Sequence, residues 1–186
     1  MSRDYDIADE SARLDSLYRE KARAEIAFAE AVVEGMPKVR THGDELAEVL
    51  LAKGEPGPDD RAAGYALAGA DGEAADKALD ALGISQARFA MCTRVAGTTD
   101  DTRSQRIRML VEAVDPSVVI ALDMVAAVDL AAALEIDPLC AGVPRAWGGR
   151  TVLAVEGLEA SLVDDDLKRR VWRQLKALGS ISVSET

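Results

Sequence analysis

The segment Ser117–Leu122 (SVVIAL), followed after Asp123 by the alanine-rich run Met124–Leu134, constrains the fold more than any other part of the chain. An apolar run with no polar alternation is a strand covered on both faces, and small side chains suit a helix lying close on a sheet. A strand buried on both sides needs neighbours on each edge and helices above and below, so the rest of the chain must supply them. The competing reading is a membrane span, because Val118 to Ile136 has about the 20 residues one requires. Asp123 and Asp129 fall inside it. A central aspartate opposes insertion by about 2.5–3.5 kcal/mol, so strand and helix are the better account and no membrane partner is expected.

Similar runs recur. Ile7 to Glu34 carries Tyr18, Ala22, Ile26, Ala29 and Val33 at helical spacing, and Gly35-Met36-Pro37 closes it. Glu48–Ala52 predicts a buried strand feeding the loop Gly54 to Asp60, and Gly72–Leu82 predicts a helix ended by Gly83. A strand at Arg88–Cys92, a helix at Arg103–Val114 stopped by Asp115-Pro116, a loop from Pro138 to Gly149 and a strand at Thr151–Val155 follow. The last helix, Asp164–Leu178, places Leu167, Val171, Leu175 and Leu178 on one face. Strand–helix alternation predicts an α/β fold, a three-layer αβα domain around a mostly parallel, four-stranded sheet, with ligands beyond the carboxyl ends of the strands. The expected organisation is a helical extension over residues 1–45, the α/β domain over 46–179 and a flexible tail over 180–186.

Charge narrows the partners. Twenty-two Lys and Arg against thirty-three Asp and Glu leave a net charge of −11, which repels phosphate backbones at long range, so DNA is disfavoured unless a local basic patch exists. The densely charged start of the chain carries no secretory signal, and the cytoplasm is the expected compartment. Two cysteines, Cys92 and Cys140, set aside a disulfide framework.

Several segments together resemble the uracil-DNA glycosylase superfamily, most closely its iron-sulfur-type branch. Lys53-Gly54-Glu55-Pro56-Gly57 is similar to the family's G-E-[AG]-P-G loop after the first strand, one residue shorter. Gly64 to Gly72 is similar to its glycine-bearing segment, and Asp115 to Leu122 to its R-P-K-V-I-V-A-L-G strand. Gly149 to Val155 and the helix from Leu167 to Trp172 continue the likeness, which spans Glu48 to Leu178. The resemblance implies a glycosylase-type fold whose pocket would draw on Gly54, Glu55, Pro56, Gly57, Leu67, Cys92 and Gly157. It also implies a lost activity. Leu67 stands where the family stacks a phenylalanine on the extruded base, and the chain contains no asparagine to hold uracil. Gly157 stands near the histidine that stabilises the departing base. Two cysteines cannot hold a cluster that needs four thiolates, so no cofactor is expected. The expectation is a non-catalytic member acting through protein partners in repair or replication. The alternatives are an atypical glycosylase using Glu55, with Asp59 as the fallback catalytic residue beside it, to polarise water, or a protein binding a small molecule or nucleotide.

Other candidates have two readings each. Glu55, Asp59 and Asp60 form either an acidic strand-end site, with or without a divalent ion, or a solvated turn; no third ligand follows at fitting spacing, and no metal is expected. His42 is a loop base or an exposed histidine, and Cys92 is a nucleophile or a small apolar group. Cys140 reads as an ordinary loop cysteine rather than a redox one. Lys168, Arg169, Arg170 and Arg173 beside Trp172 either track phosphate or belong to a helix that covers the sheet with Trp172 partly buried, and Arg103, Arg106 and Arg108 are either a second cationic spot or a solvated helix face. The N-terminal helix either reaches for a partner or lies across its own domain.

Overall fold

The structure, a computed structural model, describes residues 3–35, 37–84 and 87–179; the expected tail at 180–186 lies outside the described residues. A long helix, α1 (Arg3–Ala31), leads through the short strand β1 (His42–Gly43) into β2 (Val49–Lys53). Two helices, α2 (Pro58–Ala63) and α3 (Ala70–Ala81), precede β3 (Arg88–Cys92). Then come α4 (Asp100–Val114), β4 (Val118–Ala121), α5 (Met124–Leu134), a hairpin of β5 (Arg145–Trp147) and β6 (Arg150–Ala154), and α6 (Asp165–Leu175), with 3₁₀ turns on either side of α6.

The sheet runs β1-β3-β2-β4-β6-β5 and is six-stranded, not four-stranded as the sequence suggested. Its centre is the expected parallel set: Leu51 of β2 lies opposite Ala90 of β3 and Ile120 of β4, and Ile120 opposite Leu153 of β6. The two further strands are antiparallel edges, short and partly solvated, so they lack the apolar runs that reveal central strands. The turn between β5 and β6 is Gly148-Gly149, both at positive φ, the conformation a tight hairpin demands.

Alternate residues of each central strand feed two cores. Leu50, Ala52, Phe89, Met91, Val119 and Ala121 meet α1, α4 and α5 on one face. Val49, Leu51, Ala90, Cys92, Ile120 and Leu122 meet α3 and α6 on the other. The result is a mixed α/β sandwich with helices on both faces of the sheet. Ala29 of α1 belongs to the first core, so residues on both sides of the expected boundary at 45/46 share it. Arg106, fully buried on α4, donates to both carboxylate oxygens of Glu30 on α1 at 2.9 and 3.2 Å and to the Cys92 carbonyl at 2.8 Å. This corrects the reading of Arg106 as part of a solvated helix face. Tyr18 is also corrected, because α1 turns Ala22, Ala29 and Val33 inward and leaves Tyr18 60% exposed. No helix among the described residues is long and apolar enough to cross a membrane.

Candidate functional site

The strand order sets the place. β2 and β4 are neighbours, and the crossover from β2 runs to β3 on one side while that from β4 runs to β6 on the other, which opens a crevice at the carboxyl ends of β2 and β4. Lys53 ends β2 on the α3 and α6 side. Its three ammonium protons meet three carboxylates: Asp71 Oδ2 at 2.6 Å, Glu159 Oε2 at 2.8 Å and Asp60 Oδ2 at 3.0 Å. Lys53 and Asp60 are almost wholly buried, at 6% and 1% side-chain exposure. Burial opposes the ammonium, but the bonds it donates to Asp71, Glu159 and Asp60 outweigh it and hold the Lys53 pKa above its ordinary value. Lys53 is therefore charged at neutral pH, with no proton free for a ligand.

Asp60 belongs to α2, which the sequence presented as the end of a loop. Pro58 opens this helix, and Gly57 precedes it as N-cap. The Asp60 carboxylate accepts from Gly57 N at 2.7 Å and Ala68 N at 2.9 Å as well as from Lys53. Burial pushes its pKa up, and these donors together overcome that and bring it below the usual aspartate range. The solvated-turn reading thus fails for Asp60, whereas Glu55 and Asp59 are exposed. Gly57 makes room for the cluster: a Cβ there would stand 3.0 Å from Lys53 Nζ and 3.3 Å from Glu159 Oε1.

Two further carboxylates tie the strand ends together. Asp123 caps α5 by accepting from Ala126 N at 2.8 Å, while its other oxygen accepts from Gly54 N at 2.8 Å. A Cβ on Gly54 would come within 2.7 Å of Asp123 and Val125, so this junction fits glycine alone. Asp129, buried on α5, accepts from Thr93 Oγ1 at 2.7 Å and from Arg94 at 3.0 and 3.2 Å.

The residues singled out from the sequence do not gather in one place. Gly157 lines a hollow of about 580 Å³ with Lys53, Asp71, Asp123, Glu156 and Glu159. Glu55 and Pro56 line a separate hollow of about 340 Å³ with Lys38, Arg61 and Arg94. Leu67 is buried in the α3 core, in a left-handed conformation at φ 58°. Cys92 is buried as well; burial, reinforced by the Asp60 carboxylate, pushes its thiol up to about 12, which removes it as a nucleophile. Cys140 is exposed. His42 sits exposed on the edge strand β1 with its ring against Tyr65, centroids 4.3 Å apart. Trp172 is half-buried on α6, under Lys176. No group of His, Cys, Asp and Glu among the described residues is arranged to hold a metal.

The residue missed from the sequence is Lys53. Its signal was a lone cation ending an apolar strand, the place where a buried charge must find partners. Those partners lie in three separate stretches of chain. No protein-family model matches the chain, and no curated protein matches it either.

Proposed function

We propose that this chain is a non-catalytic protein of the uracil-DNA glycosylase type, serving as a protein-interaction or accessory component in DNA repair or replication. One observation carries the proposal: the strand-end crevice is lined by Gly157 and by the carboxylates Asp71, Asp123, Glu156 and Glu159, and its lysine is fully engaged by carboxylates. Such a lining opposes both a phosphate backbone and a leaving base that departs as an anion. A glycine in the position that the resemblance gives to a histidine supplies no side-chain donor, and removing one such donor from an active site costs about 10²–10³ in rate.

A second reading has its own support. Glu55 shares its hollow with Lys38, Arg61 and Arg94, a local cluster of cations beside the first loop in an acidic protein. This arrangement would suit an atypical glycosylase in which Glu55 polarises water, although Arg94 is already bonded to Asp129. Single-turnover excision on uracil-containing single-stranded and duplex DNA, at low salt and with excess protein, separates the two. The expected result is no cleavage above background from the wild type or from Glu55→Gln. Cleavage by the wild type that disappears in Glu55→Gln would establish the second reading instead.

A further inference from the structure

The outward side of α1 bears a second apolar stripe, distinct from the face that docks on α4. Leu14, Tyr18, Lys21, Glu25 and Phe28, continued by Val32 in the turn that ends the helix, follow alternating steps of four and three residues, the spacing of a two-helix seam. Leu14, Tyr18 and Phe28 are 49%, 60% and 67% exposed, and Leu17 flanks them at 55%. A run of large apolar groups in one line on a charged helix marks a surface that is covered in use. Beside it lies a groove of about 500 Å³ floored by Met109 and Ala113 of α4.

The order of the residues identifies the occupant. Leu14 and Val32, Tyr18 and Phe28, and Lys21 and Glu25 are three pairs, the members of each equidistant from Arg23. An antiparallel copy of the same helix, related by a two-fold axis that crosses the stripe between Lys21 and Glu25, at the level of Arg23 along the helix, therefore sets Leu14 against Val32, Tyr18 against Phe28 and Lys21 against Glu25. Each pair occurs twice, as a two-fold contact requires. Parallel pairing would instead oppose lysine to lysine and glutamate to glutamate. Glu112, which also lines the groove and accepts from Arg108 at 3.2 Å, places a further carboxylate beside the incoming lysine. We infer that a second copy of this chain covers the stripe, with the two α1 helices antiparallel and in this register. The inference goes beyond the accessory role proposed above and does not depend on it.

Sedimentation equilibrium of the full chain at loading concentrations up to about 100 μM tests it. Reductant is kept present so that the exposed Cys140 cannot cross-link copies. The expected result is the mass of two 19.8-kDa chains. Phe28→Asp weakens association at least about 100-fold. Lys21→Glu weakens it about tenfold, and the exchange Lys21→Glu/Glu25→Lys restores it to near the wild-type value. Helix content by circular dichroism remains that of the wild type in every variant. A wild type that stays a single chain over the whole range overturns the inference. So does a dimer indifferent to Phe28→Asp, or one that the charge exchange fails to restore.

Discussion

The two thiols sit in opposite surroundings, and the difference is chemical as well as spatial. Cys92 ends β3 at 1% exposure with its pKa raised to about 12, while Cys140 lies exposed in the segment after α5. At pH 8 the thiolate fraction of Cys92 is about 1,000-fold below that of an ordinary cysteine, and the packing around it slows attack further. Titration with an aromatic disulfide reagent should therefore give one fast equivalent from Cys140, with the second appearing after unfolding in denaturant. Two fast equivalents from the native protein would mean that β3 opens at its carboxyl end. The same burial that silences Cys92 makes Asp60 and Lys53 depend on each other, since a buried charge is tolerated only with partners in bonding distance.

Among the elements, α1 is held to the body by a buried ion pair as well as by alanine packing. Arg106→Met leaves the Glu30 carboxylate buried without its bidentate partner and should cost about 3–5 kcal/mol in urea unfolding. Adding Glu30→Leu should recover most of the loss, because an apolar pair replaces a buried charged one at little net cost. A single variant within about 1 kcal/mol of the wild type would show that α1 is not docked through this pair. The central strands and the five helices α1, α3, α4, α5 and α6 that cover them were legible because their periodicity is set by burial: β3 and α5 have the predicted limits, and β2, β4 and β6 differ by about one residue. The edge strands were not, since β1 is two exposed residues and β5 is three residues with Trp147 as its one large apolar group, too short for a periodicity to show, leaving only the Gly148-Gly149 turn as a signal. α2 was readable in hindsight from Gly57-Pro58 followed by two aspartates, the usual entry to a helix. The Lys53 cluster was not readable, because Asp60, Asp71 and Glu159 become neighbours only when β2, α2, α3 and the segment after β6 meet at one end of the sheet.

At the scale of the molecule, an acidic chain with a net charge of −11 places its switch-point crevice among further carboxylates and places there a lysine with no free proton. A crevice built for catalysis holds groups whose removal leaves the fold as stable or makes it more so, since active sites trade stability for function. A crevice closed by an ion network behaves in the opposite way, because each partner exists to satisfy the others. Urea unfolding of Lys53→Met at pH 7 distinguishes these directly. The account predicts a loss of about 3–5 kcal/mol, or no folded protein, as Asp60, Asp71 and Glu159 are left facing one another without a cation. A variant as stable as the wild type, or more stable, would contradict it and mark Lys53 as a residue kept for a reaction.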